Sequence, residues 1–241
     1  VVELDGKPTL STTLAGTPGV EVRHISPAAA LEEYLVEHGF KRIARRLAAS
    51  GVIDVVSAAA PGIDDLVVLG KIKQLERSGA FDTILVDGPA AGHAVTLLTS
   101  PAGLLDAVRG GPVHAQASEV LELLHDPERC RVVLVTVPEH TPVNELIETA
   151  LTIEDRAGVQ LAAVVVNAVD PGEPLPDPHA VDLAGPAESV SAAVAAAEYV
   201  RARRADQAVE LARVCAEVPL PVITLPALPS APIATLAELI A

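Results

Sequence analysis

The sequence predicts an α/β fold, a mostly parallel sheet flanked by helices in three layers. Three observations carry this reading. Half of the 241 residues are apolar, chiefly Ala, Val and Leu, the palette of strands buried on both faces. Several short runs are apolar or nearly so throughout: TILV before Asp87, RVVLVTV at 131–137, LAAVVV at 161–166 and PVITL at 221–225. Longer stretches with helical spacing separate them, the alternation that crossover helices over a parallel sheet require.

In chain order, Val1–Leu4 reads as a short buried strand ended by the turn signal Asp5-Gly6. Residues 9–19, rich in Thr and Gly, read as loop. Leu31, Tyr34, Leu35, Ile43 and Leu47 keep helical spacing over 28–50. Pro61-Gly62 breaks the chain, and a helix resumes over 63–76 with Ile63, Leu66, Val67 and Gly70 on one face. Residues 28–78 are thus expected to form a helical insertion within one domain spanning 1–241. A strand over 83–87 comes next, then helix over 94–126 with breaks at Pro101 and at Gly110–Pro112. After the strand at 131–137, Thr141-Pro142 starts a helix whose Val143, Leu146, Ile147, Ala150 and Leu151 form its apolar stripe. The strand at 161–166 is closed by Asn167. Residues 170–187, rich in Pro, Asp and Gly, read as an exposed loop. An Ala-rich helix over 188–217, a strand at PVITL and a helix over 233–240 complete the pattern.

Charge and composition remove several function classes. A formal charge of −15 opposes binding to nucleic-acid phosphates, and four aromatic side chains are too few for stacking platforms. The one basic cluster, Lys41, Arg42, Arg45 and Arg46, lies on one side of a helix and reads first as a solvated face. Cys130 and Cys215 are too few and too far apart for a disulfide framework or a zinc site, so a cytoplasmic setting is expected. No apolar run approaches the ~20 residues that span a bilayer. The chain lacks Met and starts inside an apolar run, so its N-terminus is expected to have been lost, processed or cropped.

In a parallel sheet the carboxyl ends of the strands converge on the crevice where ligands bind. Asp5, Asp87, Pro138-Glu139 and Asn167 all stand at such ends. Carboxylates beside Gly-rich turns suit a magnesium–phosphate ligand, because Mg²⁺ takes one or two carboxylates plus water and phosphate oxygens. Capping of turns is the alternative role for Asp5 and Asp87, and a strand-end turn for Asn167. His93 has no second His or Cys at ligand spacing, so its alternative is a surface histidine rather than a metal ligand.

The segment FDTILVDGPAAGHAVTLL resembles the metal-binding strand and second switch of the ArsA-like anion-transporting ATPases, a P-loop NTPase family. The family includes the arsenite-pump ATPases and the guided-entry ATPases for tail-anchored proteins. VVELDGKPTLS is similar to the family's first switch, and RVVLVTVPEHTPVNELIETA with LAAVVVNAV to its later half. The resemblance implies ATP and Mg²⁺ as ligands, with Asp5 positioning the attacking water and Asp87 holding Mg²⁺ through a water. It implies that Gly92 and His93 belong to the second switch, that Asn167 bonds the adenine edge, and that Pro226 lines the adenine pocket. It also implies a homodimer or a heterodimer with a related ATPase, and admits a membrane-protein client.

The sequence departs from that family in four ways. No Gly-rich phosphate loop ending in Gly-Lys-Ser/Thr occurs; the only Gly-Lys pairs, Gly6-Lys7 and Gly70-Lys71, have neither the following hydroxyl nor the glycine spacing. Its place in the family is upstream of the strand that Val1–Leu4 resembles. There is no Cys-x-x-Cys for an intersubunit zinc, no Cys triad for arsenite, and no Met for a Met-rich client groove. Two functions follow as expectations: an ATPase domain missing its phosphate loop, or a cradle-less regulatory subunit paired with an intact ATPase. An unrelated α/β enzyme is the third, and no G-x-S-x-G or G-x-G-x-x-G supports it.

Overall fold

A computed structural model describes residues 1–4, 9–39, 42, 62–173, 175–181 and 184–228. The chain divides into two compact units, residues 1–131 with 152–160, and residues 132–151 with those from 161 onward. Each is α/β with a parallel sheet and helices.

In the first unit, β1 (Val2–Glu3) lies between β2 (Arg23–His24) and β3 (Val86–Asp87), both parallel to it. The strand expected over 83–87 is paired only at its last two residues. Its ladder partner β1 offers Val2 and Glu3, and Leu85 contributes its carbonyl to Val2 N at 2.8 Å. The expected loop at 9–19 contains a helical turn, α1 (Leu10–Thr13), because the buried Glu3 carboxylate accepts from Leu10 N at 2.7 Å and satisfies an otherwise orphaned amide.

Helices supply most of this unit's core. In α2 (Pro27–Glu37), Ser26 caps Ala29 N and Pro27 takes the first helical position. Helix α3 (Ile63–Arg77) places Asp64 and Asp65 in its first turn and Arg77 in its last, as the helix dipole favours. It packs on α2, on α4 (Ala91–Ala107) and on α5 (Pro112–Leu124). Leu66 and Val120, almost wholly buried, each contribute about 1.5–3 kcal/mol by leaving water. The break expected at Pro101 does not occur: Pro101 is buried inside α4. Tertiary packing outweighs the backbone bond that a proline forfeits.

Within this helical core lies one charged group. Lys73 is buried, donating to Glu119 at 2.6 Å and to Gln116 Oε1 at 3.2 Å. The Gly70-Lys71 pair is helical, in α3, with Lys71 ion-paired to Glu33. A π turn (Ile153–Ala157) ends at Gly158, whose φ of +64° suits glycine.

In the second unit, β4 (Val132–Thr136), β5 (Leu161–Val169) and β6 (Val222–Pro226) form a parallel sheet in that order. Helices α6 (His140–Thr152, its last residue in the first unit) and α7 (Ala187–Glu217) accompany it. Strand β4 alternates: Leu134 and Thr136 are buried, while Val133 and Val135 are 52% and 67% exposed. The expectation of burial on both faces therefore fails for β4, where one side of the pleat is open. Strand β5 does not close at Asn167 but runs on to Val169. The described part of 170–186 is irregular and mostly exposed, and Ala187 already begins α7. Helix α3, and all of α2 but its first residue, lie between residues 28 and 78. The helix expected at 233–240, and all of the basic cluster except Arg42, lie outside the described residues.

Candidate functional site

The carboxyl edges of the two sheets carry the residues singled out in the sequence. At the first, Glu3 and Asp87 are register partners on adjacent strands, and His24 pairs with Glu3 from the other side. Parallel strands deliver all three to one edge. Asp5 follows two residues after Glu3 and lies outside the described residues. Asp87 is exposed. Gly88, Pro89 and Ala90 lead from it into α4, which opens at Ala91 and carries Gly92 and His93, both exposed, in its first turn. Among the described residues, a β-carbon on Gly88 or Gly92 would meet nothing within 4 Å, so the small residues noticed in the sequence leave room beside them.

Sequence reasoning missed Glu3, although a carboxylate inside the apolar run VVEL was a usable signal. Its exposure is 1%. Oε1 accepts from Leu10 N and, at 3.4 Å, from Thr9 Oγ1, so it joins the end of β1 to the start of α1 across residues 5–8. Oε2 is buried without a partner among the described residues, a position that costs free energy unless something else satisfies it.

At the second edge, β5 and β6 bring Asn167 and Pro226 to the same end. Val166 pairs with Thr224 and Val169 with Pro226, so β5 fits one extra residue into the interval, a bulge. Ala227 N donates to Val169 O at 2.7 Å. Asn167 is exposed, and its Oδ1 accepts from Ala168 N at 2.8 Å. Ala168 has φ +58°, in the left-handed region that a β-carbon disfavours. Asp170 follows, its carboxyl held below the usual range by Arg204, 3.0 Å away, and by Gly172 N.

Behind the end of β4 a second network joins α6 to α7. His140 Nδ1 lies 3.1 Å from the buried Glu210, and Arg213 donates to Glu210 and to Asn144 Oδ1, each at 2.8 Å. Burial raises the Glu210 carboxyl, but His140 and Arg213 outweigh it and hold it below its ordinary value. None of this was read from the sequence, because partners 70 residues apart leave no local periodicity.

Fold and edges together define a parallel α/β protein with small residues and carboxylates at its strand ends, the layout of a ligand-binding class. Residues 11–109 match the family model described as anion-transporting ATPase. Over 125 residues the chain is 34% identical to the ATPase BagA of Mycobacterium tuberculosis, covering 48% of this chain and 36% of that protein. It is 26% identical over 174 residues to a putative arsenical pump-driving ATPase of Halobacterium salinarum, covering 64% and 27%. To the arsenical pump-driving ATPase of Escherichia coli it is 29% identical over 170 residues, covering 66% and 27%. Residues 11–109 thus carry a similarity to the anion-transporting ATPases, which the two arsenical pump-driving ATPases share. The chain's match spans about a third of the length of these curated relatives or less.

Proposed function

We propose that this chain is part of an ATP-binding and hydrolysing domain that couples hydrolysis to a change of conformation. The observation that carries the reading is the first sheet's edge. There Asp87 ends β3 beside Glu3, with Gly88-Pro89 and Gly92-His93 after it, inside the segment matched to the anion-transporting ATPases.

The open carboxylate of Asp87 fits Mg²⁺, which takes few protein ligands and keeps its waters and the phosphate oxygens. Bound there, the ion would neutralise charge on the phosphates. Asp87 would hold it through a water, and Asp5 would accept a hydrogen bond from the attacking water and orient it. The Gly92-His93 turn would follow the terminal phosphate and move when it leaves; a β-carbon on Gly92 would meet nothing within 4 Å among the described residues. In the second unit, Asn167 and Pro226 would meet the adenine.

No Gly-rich loop ending in Gly-Lys-Ser/Thr occurs in these 241 residues, and this reading needs such a phosphate cradle from elsewhere in the protein. The same single observation favours a second reading. A chain without a cradle would regulate an intact partner ATPase, as a heterodimer. A homodimer, a cytoplasmic setting and a membrane-protein client belong to the first reading. Among the described residues, no helix is long and apolar enough to cross a membrane.

The test joins the chain to the sequence preceding it in its native reading frame and measures Mg²⁺-dependent ATP hydrolysis. Turnover that Asp5→Asn abolishes while nucleotide binding persists supports the first reading. Stimulation of a partner ATPase without turnover of its own supports the second.

A further inference from the structure

The bulge in β5 is held by one buried carboxamide. Gln207 of α7 is 6% exposed. Its Oε1 accepts from Asp170 N at 3.0 Å, and its Nε2 donates to Ala168 O at 3.4 Å. The two bonds clasp the backbone on both sides of Val169. One turn earlier on α7, Arg204 binds the Asp170 carboxylate and the Glu173 carbonyl. A clasp of this kind must both give and accept a hydrogen bond, which Gln does and neither Leu nor Glu does. It secures a backbone that would otherwise relax, because Ala168 lies in the left-handed region.

The residue thus fixed in place is Asn167. Its Oδ1 is committed to Ala168 N, and that contact exists only while Ala168 keeps its conformation. Nδ2 remains as a donor, and Oδ1 keeps one further lone pair. A donor and an acceptor side by side complement a purine with N7 next to an amino group, as in adenine. Guanine presents two acceptors there, N7 and O6.

We propose that Gln207 is a positioning residue that sets base selectivity by holding the Ala168 bulge, and through it the Asn167 carboxamide, in the adenine-reading orientation. The proposal deepens the nucleotide reading above and depends on it.

The experiment uses the isotope-labelled chain, joined to the sequence preceding it in its native reading frame, as wild type, Gln207→Leu and Gln207→Glu, titrated with MgATP and with MgGTP. The Ala168 ¹³Cα and ¹³Cβ shifts report the left-handed backbone without any ligand. In both variants they should move to values for negative φ, and the wild-type preference for ATP over GTP should fall by about tenfold, the equivalent of one hydrogen bond. Affinity for GTP should stay unchanged. If Gln207→Leu does not fold, Gln207→Glu, which still accepts from Asp170 N, carries the test. Unmoved Ala168 signals in a folded variant would overturn the clasp. A parallel loss of ATP and GTP affinity would reduce Gln207 to a structural role and overturn the proposal. A wild-type chain that binds neither nucleotide removes the nucleotide reading and the selectivity claim together, while the Ala168 shifts still report the clasp.

Discussion

The carboxyl edge of the first sheet is open, and that of the second is clasped. Asp87, Gly92 and His93 are all exposed, and a β-carbon on Gly92 would find nothing within 4 Å among the described residues. Asn167 is exposed as well, but the backbone beside it is bonded to Gln207, and Asp170 to Arg204. An open turn changes shape cheaply, whereas a clasped bulge keeps one shape. The difference fits a moving switch at one edge and a fixed recognition surface at the other.

The largest effect expected is on chemistry. In the protein with its phosphate cradle, Asp87→Asn should lower turnover by about 10²-fold or more. Its melting temperature should hardly move, because exposed substitutions of this kind stay within about 0.5 kcal/mol. A mutant that loses stability instead would show that Asp87 is a structural cap and that the first edge is not open.

Next comes the charge buried in the helical core of the first unit. Glu119→Ala leaves Lys73 with Gln116 as its remaining acceptor among the described residues, at 3.2 Å, and should cost about 2–3 kcal/mol by denaturant unfolding. That is below the usual figure for a broken buried pair because Glu119 is partly exposed. Lys73→Met should be nearly neutral, since a packed apolar side chain needs no partner.

At the clasped edge, Gln207→Leu should destabilise by about 1–3 kcal/mol, leaving Asp170 N and Ala168 O without their partner. Ala168→Gly should go the other way and stabilise by up to about 1 kcal/mol, because relief of the left-handed strain exceeds the entropy a glycine adds to the unfolded chain. Opposite signs at neighbouring positions would separate the clasp from the strain it holds.

The smallest effect concerns pH. Glu119 and Glu76 are held below their ordinary 4.5, Glu119 first by the hydrogen bond from Lys73 and Glu76 first by that from Arg129. Depressed carboxylates favour the folded state above the unfolded value and lose that contribution as pH falls through the folded one. Melting temperature should therefore hold steady down to about pH 4.5 and decline below it. Glu76→Gln should flatten part of that decline.

Much of the fold was legible because it is periodic. The helices at 63–77 and 187–217 and the strands at 132–136 and 222–226 lie within a residue or two of where spacing put them. Pro101 misled, because a local rule about a missing amide says nothing of the packing around α4. Strand β2 was invisible: Arg23-His24 has no apolar pattern and exists only through its pairing with β1. At the edges, Asp87 and Asn167 stood out as polar residues at or near the ends of apolar runs. Glu3, Gln207 and Glu210 did not, since their partners lie 7, 37 and 70 residues away in sequence.

The central claim is that both carboxyl edges are nucleotide surfaces, one mobile and one fixed. The most direct measurement is a titration with MgATP of the labelled chain, joined to the sequence preceding it in its native reading frame, following the amide signals of Gly92 and His93 beside those of Asn167 and Ala168. The account predicts that all four shift as MgATP is added, with line broadening at Gly92 and His93 and sharp signals at Asn167 and Ala168. Signals that stay still at both edges, while MgATP shifts others elsewhere in the chain, would contradict it.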